Sequence, residues 1–224
     1  MFNQSKLIDI TLPIYNGMWS YRSEWSNSIA TIFATANGDA STVYNFNIHS
    51  HTGTYIETSQ HKLNNQLLLQ DFQLDAFFGT CCVVVIPQLT DNTVTLASFL
   101  NGLNIIELSD LKGSKLIIST GYGNNHSNPG YLKNAPCFEP SLTQTLIDLN
   151  LSLLGVDTPI IENQKQSYQP VIKLFEANEN LLLLAPLLID LEKVETGLYI
   201  LSCLPSFKCE VSGSPTRAFL IKNK

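Results

Sequence analysis

The chain has 224 residues, 44% of them hydrophobic and 9% aromatic, with 12 Gly and 10 Pro; it can build a sizeable core and is not disordered, collagen-like or coiled-coil. Its 13 Lys and Arg against 19 Asp and Glu leave a net charge of −6, the wrong sign for a surface that holds nucleic acid nonspecifically. Only 14% of residues are charged, and such a weakly charged surface can accept a subunit partner.

The five cysteines, Cys81, Cys82, Cys137, Cys203 and Cys209, are odd in number and form no C-x-x-C pair, which reads as reduced thiols in a cytoplasmic protein. Met1 to Leu12 shows no basic stretch followed by an apolar one. The longest apolar runs, Cys81 to Ile86 and Leu181 to Leu188, are too short to cross a membrane. The expectation is one domain spanning 1–224, with neither membrane nor nucleic acid as partner.

In chain order, Ile8 to Pro13 alternates as a strand and ends in a turn at Asn16-Gly17. Ser28 to Thr35 and Thr42 to His49 alternate again around Asn37-Gly38-Asp39, a predicted hairpin. Leu67 to Phe77 has near-helical spacing. Cys81 to Ile86, β-branched and stopped by Pro87, predicts a strand buried on both faces.

Helical and strand signals then alternate. Leu96 to Leu103 and Ile106 to Leu111 read as helical or irregular, Lys115 to Ser119 as a strand, Ser141 to Asn150 as a helix and Leu153 to Val156 as a strand. Pro170 to Ala177 follows as a helix. Leu181 to Ala185, Leu198 to Leu204 and Arg217 to Ile221 read as strands, with Gly213-Ser214-Pro215 as a connection. The pattern is α/β, and Tyr122 to Pro140, rich in Gly, Asn and Pro, is the candidate loop over a site.

Three of the four histidines fall in the segment His49-Ser50-His51-Thr52-Gly53-Thr54-Tyr55-Ile56-Glu57-Thr58-Ser59-Gln60-His61. A strand running into a Gly turn folds Tyr55, Glu57 and His61 back towards His51, bringing proton-transfer groups together. His49 alone reads as a packing residue, and His126 as an exposed loop residue. Cys81-Cys82 reads as buried core, Arg217 as an ion-pair partner, and Gly121-Tyr122-Gly123 as a turn without a dinucleotide fingerprint.

The segment resembles the H-x-G-T-H-x-D-x-P-x-H signature of the cyclase family that includes bacterial kynurenine formamidase. Ile8-Asp9-Ile10-Thr11-Leu12-Pro13-Ile14 resembles that family's first strand, Ser119-Thr120-Gly121-Tyr122 its T-G-W element, and Leu154-Gly155-Val156-Asp157-Thr158-Pro159 its V-G-I-D-T-P element. Leu204-Pro205 and Gly213-Ser214-Pro215-Thr216-Arg217-Ala218 resemble its closing L-P and G-S-P-x-R-A. The resemblance implies an α/β domain with a mixed, barrel-like sheet and flanking helices, usually a homodimer or higher homo-oligomer. It also implies a zinc or manganese ion activating water against an amide, ester or lactam.

The departures fall on the metal ligands. His51 is kept, but Tyr55 stands for the second histidine and Glu57 for the aspartate. The resemblance puts Lys173 and Ala185 where a further histidine and glutamate would complete the site, with Glu176 as the ligand if the register slips. His61 keeps the family's acid–base position, and Ser59 replaces its proline.

Zinc needs several imidazole, thiolate or carboxylate ligands at about 2 Å, so no metal ligands are assigned and no cofactor is expected, a divalent zinc or manganese ion being the alternative. The expected function is a metal-independent cyclase-type enzyme working by proton transfer on a small biosynthetic intermediate, through ring closure, addition or dehydration. His61, Glu57, His51 and Tyr55 are its candidate catalytic residues, with Tyr55 and His51 donating to a developing oxyanion. Tyr122, Trp19 and Tyr21 are the candidate substrate contacts, Trp25 standing beside them. A metal-dependent amide, ester or lactam hydrolase and a noncatalytic binding or assembly protein are the alternatives.

Overall fold

A computed structural model describes residues 7–163 and 168–222; Met1 to Lys6, half of the segment read for a leader, lie outside them. In chain order the strands and helices are β1 (Leu7–Asp9), β2 (Ser28–Phe33), β3 (Val43–Asn47), β4 (Tyr55–Glu57), β5 (Phe78–Val85), β6 (Thr93–Val94), α1 (Leu96–Gly102), β7 (Lys115–Ser119), β8 (Cys137–Phe138), α2 (Pro140–Asp148), β9 (Leu153–Val156), α3 (Pro170–Ala177), β10 (Leu182–Ala185), β11 (Gly197–Ser202), β12 (Gly213–Pro215) and β13 (Phe219–Lys222). Among the described residues no helix is long and apolar enough to cross a membrane.

Nine strands form one mixed sheet in the order β1-β13-β11-β5-β7-β9-β10-β4-β12, curled into a half-barrel. The middle, β5-β7-β9-β10, is parallel, and both wings are antiparallel. Parallel strands need crossovers that cover the sheet, and a strand covered on both faces carries apolar residues at every position. In β5, Cys82 and Val84 face a core with Leu116, Leu154, Phe99, Leu142 and Phe175. Cys81 and Val83, pointing the other way, meet Ile117, Leu153, Tyr199 and Leu220. Each fully buried aliphatic side chain contributes about 1.5–3 kcal/mol, and burial of this kind holds the half-barrel together.

Helix starts follow local chemistry. Thr95 caps α1, its Oγ1 accepting from Ser98 N at 3.0 Å, while Pro140 and Pro170 open α2 and α3 with the φ that the first turn requires. The Glu139 carboxylate accepts from Leu96 N at 2.9 Å and ties the start of α1 to that of α2.

Two segments differ from the sequence reading. Leu67 to Phe77 forms two 3-10 turns, Leu69–Asp71 and Leu74–Phe77, because the Asp71 carboxylate closes the first on Leu68 N and Phe72 is extended. Gly213 to Pro215, read as a connection, is β12, the strand at one end of the sheet, antiparallel to β4. A terminal strand tolerates Pro because one side of its backbone needs no ladder partner.

Candidate active site

Gly53 shapes the approach to the site. Its φ is +67°, and a Cβ there would lie 2.7 Å from Ile14 Cγ1, so both backbone angle and space exclude a side chain. Thr54 tacks the turn down, its Oγ1 accepting from Leu12 N at 2.7 Å and donating to Pro186 O at 2.6 Å. β4 follows, held between β10 and β12. Alternation along it sends Ile56 into the core and Tyr55 and Glu57 into a cavity on the opposite face. A 3-10 turn, Ser59–His61, then swings His61 back over Glu57.

The Glu57 carboxylate is the centre of the cluster. Its Oε2 lies 2.8 Å from His51 Nε2 and 3.8 Å from His61 Nε2, and the two imidazole centroids are 4.1 Å apart. His51 Nδ1 lies 2.7 Å from Ser50 Oγ. With Glu57 ionised, His51 donates from Nε2, and Ser50 donates to the Nδ1 lone pair. Burial lowers the His61 pKa to about 4 against the opposing pull of Glu57, so His61 is neutral at pH 7.

The tyrosines form a directed chain. Tyr21 Oη is 2.6 Å from the Pro159 carbonyl and 2.9 Å from Tyr55 Oη. A carbonyl only accepts, so the single Tyr21 proton goes to Pro159 and Tyr55 donates to Tyr21. Burial raises both phenol pKa values far above the usual tyrosine range, so neither ionises.

The cavity, about 370 Å³, is lined by these groups together with Arg22, Trp25, Lys62, Glu162 and an apolar wall that includes Val156, Ile160, Ile161, Val171, Leu183 and Ala185. The lining thus sets a group of polar and charged side chains against an apolar wall.

His61, Glu57, His51 and Tyr55 are thus brought together, and Tyr21 and Trp25 join the wall. The donor role expected of Tyr55 and His51 differs from the hydrogen bonding, because both protons are already committed to Tyr21 and Glu57. Trp19 lies outside this wall, its ring 5.1 Å from Tyr131 and facing a second hollow. Tyr122 stacks on Tyr131 at 5.2 Å and is likewise absent from the cavity lining. Of the Tyr122 to Pro140 loop, Leu132 reaches the cavity.

On α3 the cavity-facing residue is Val171. Lys173 is exposed with its Nζ 5.4 Å from the Tyr168 ring centroid, and Glu176 is exposed too; neither occupies a ligand position. Ala185 does border the cavity. The sequence reading missed Arg22, Lys62, Ile160, Ile161 and Glu162. Ile160 and Ile161 had a signal, since they directly follow the Val156 to Pro159 motif.

Asp157 anchors the floor. Its carboxylate accepts from Ser119 Oγ (3.0 Å), Thr120 N (2.8 Å), Thr120 Oγ1 (2.9 Å) and Gly121 N (2.6 Å), which joins the end of β7 to the end of β9. Burial raises its pKa to about 6, and the hydrogen bonds from Thr120 and Ser119 oppose the rise.

A mixed half-barrel that gathers imidazole, carboxylate and phenol groups at one cavity defines an α/β scaffold with a cluster of titratable side chains near the edge of its sheet. Residues 8–163 match the family described as "Putative cyclase", and the chain belongs to that cyclase family. Kynurenine formamidase of Geobacillus thermodenitrificans is 26% identical over 222 residues, covering 97% of this chain and 95% of that protein. The Delftia acidovorans kynurenine formamidase is 22% identical over 224 residues, covering 98% and 96%.

Among solved structures, isatin hydrolase A from Labrenzia aggregata bound to benzyl benzoate superposes with a TM-score of 0.78 at 18% identity, covering 96% of this chain and 93% of that one. A protein described as a potential metal-dependent hydrolase with cyclase activity gives 0.77 at 20% identity, covering 98% of both chains.

Proposed function

We propose that the chain is an acid–base enzyme acting at a carbonyl of a small, largely apolar amide, lactam or ester, by water addition or the related ring closure, with His61 as the proton carrier. The observation that carries this reading is a neutral, half-buried imidazole 3.8 Å from the Glu57 carboxylate in a cavity with an apolar wall. His61 accepts a proton from the attacking water or hydroxyl. Glu57 stabilises the imidazolium so formed, His51 holds Glu57 in place, and His61 returns the proton to the leaving atom. The relatives' names, kynurenine formamidase and isatin hydrolase A, support carbonyl chemistry for this chain.

In this reading the reaction needs no bound ion, and the support is that His51 Nε2 and Glu57 Oε2 satisfy each other at 2.8 Å. Tyr55, at a position where the resemblance implies a ligand, gives its proton to Tyr21 and has its pKa raised by burial, and Ala185 has no donor atom. A second reading has its own observation: His51, Glu57 and His61 each aim a ligand atom into a space where all lie within 4.8 Å of one another. Two imidazoles and a carboxylate fit a catalytic zinc-type ion. When bound, such an ion would supply Lewis-acid activation of the carbonyl and lower the pKa of bound water, useful where Tyr55 and His51 have no spare donor.

Elemental analysis of protein purified without chelator, followed by zinc and manganese calorimetry, separates the two. The first reading expects less than about 0.1 ion per chain and hydrolysis or ring closure of an amide, lactam or ester panel unchanged by EDTA. A tightly held ion lost in His51→Ala would replace it with the second. A metal-free chain inactive across the panel would refute both and leave the binding or assembly role.

A further inference from the structure

The hollow that Trp19 faces measures about 430 Å³ and is built largely from the Tyr122 to Pro140 stretch: His126, Tyr131 and Lys133 line it, with Tyr15 opposite them in sequence. Leu132 is the residue common to this lining and that of the Glu57 cavity. Polar atoms are stranded around the hollow. Among the described residues four buried side-chain polar atoms have no hydrogen-bond partner, and three of them, Trp19 Nε1, His126 Nδ1 and Tyr131 Oη, belong to residues that line it. Buried polar groups are nearly always paired, so three such atoms around one space are a concentration that packing alone does not explain. All three can donate. An indole N–H does nothing else, burial keeps the Tyr131 phenol protonated, and burial lowers the His126 pKa, leaving a neutral ring that carries its proton on Nδ1 when an acceptor is there.

We propose that this hollow is an accessory binding site for a small aromatic carboxylate, separate from the Glu57 cavity. Charge selects the acceptor. The chain carries −6 overall, yet among the described residues no Asp or Glu lines the hollow, while Lys133 does. A carboxylate there meets donors and a cation without like-charge repulsion, and hydrogen bonds to an ionised acceptor are the strong ones. The walls select the ring. Trp19 and Tyr131 are tilted at 59° with centroids 5.1 Å apart, and Tyr15 and His126 meet edge to face at 6.1 Å, so a flat guest finds aromatic edges and faces around it. Trp19 Nε1 and His126 Nδ1 are shut from solvent in the free chain. A small turn of either ring onto the guest's carboxylate relieves a stranded donor, a gain that a plain hydrocarbon cannot supply. The Trp19 ring also stands edge-on to Tyr21 at 5.0 Å, so a guest in the hollow bears on one wall of the Glu57 cavity.

The chain has two tryptophans, and they report on the two spaces separately, Trp19 on the hollow and Trp25 on the Glu57 cavity. Titrating the isotope-labelled full chain with benzoate should move the Trp19 indole N–H resonance, assigned by its loss in Trp19→Phe, with half-saturation at or below about 5 mM for so small a ligand. Acetate, which lacks the ring, and benzyl alcohol, which lacks the charge, should bind at least about tenfold more weakly. Lys133→Ala, at an exposed side chain, and His126→Ala, in a polar loop, should each raise the benzoate half-saturation about five- to tenfold with unchanged far-UV circular dichroism. A Trp19 resonance unmoved by about 50 mM benzoate would overturn the proposal, whether or not that of Trp25 moves. A titration that either variant leaves unchanged would overturn it too, as would an equal response to acetate or benzyl alcohol. None of these readouts depends on the reaction in the Glu57 cavity.

Discussion

Replacing His61 with Ala is expected to lower kcat by about 10²–10⁴-fold, the usual contribution of one positioned proton carrier, while leaving the unfolding midpoint nearly unchanged. His61 sits at the cavity wall beside Glu57, so removing it leaves no large void in either core. The pH profile supplies a second signature. Because burial holds the His61 pKa at about 4, the wild-type rate should stay level on its acid side until the pH approaches 4 and then fall as the base is protonated. His61→Ala should lose that limb as well as the rate. An unaltered turnover in His61→Ala would remove His61 from the chemistry.

The same group affects stability in the opposite sense to Asp157. The folded-state pKa of His61 lies below its usual 6.5, so the unfolded chain binds the proton more readily, and stability is lost as pH falls from about 6.5 through 4. Asp157 is raised from 3.8 to about 6, and its contribution, full below pH 3.8, is lost as pH rises through 6. Between pH 4 and 6 the two slopes oppose each other, and the wild-type stability curve should be flatter there than either group alone would make it.

The second large effect is Asp157→Ala, expected to cost roughly 3–5 kcal/mol. The carboxylate satisfies two backbone N–H groups and two hydroxyls where the parallel strands end. Each donor left buried without a partner costs about 1–3 kcal/mol, partly recovered by entering water. Asp157→Asn should be far milder: its carbonyl can keep the donors now on Oδ2, and its amide can face the Thr120 hydroxyl, which also accepts. Urea unfolding of both variants at pH 4 and pH 7 is the measurement. Wild type should gain on the Asn variant at the lower pH, and a loss below about 1 kcal/mol in Asp157→Ala would show that the clasp does not carry the β7–β9 junction.

Strand and helix periodicity made the central sheet legible. β7, β9 and α3 fall where the sequence placed them, because continuous apolar runs admit few other structures when both sheet faces are covered. β12 was not legible, since Gly-Ser-Pro carries turn signals and becomes a strand only through its pairing with β4. That His51, Tyr55, Glu57 and His61 come together was legible because they are local in sequence, so one turn suffices to gather them at one cavity. The cavity wall was not. Whether α3 offers Val171 or Lys173, and whether Trp19 or Trp25 faces the cavity, depends on side-chain direction after packing, which spacing alone does not set.

The one-way chain from Tyr55 through Tyr21 to the Pro159 carbonyl also sets the vocabulary in which the cavity can address a guest. With the protons of Tyr21, Tyr55 and His51 all turned inward, what these three side chains can present outward is lone pairs and ring faces. A guest that brings its own N–H finds a partner at Tyr55 Oη, whereas one whose matching atom is a bare ether oxygen meets another oxygen's electrons. Breaking the last link, by moving the Pro159 carbonyl away from Tyr21, would free the Tyr21 proton, let the Tyr21–Tyr55 pair reverse, and turn this listening surface into a donating one.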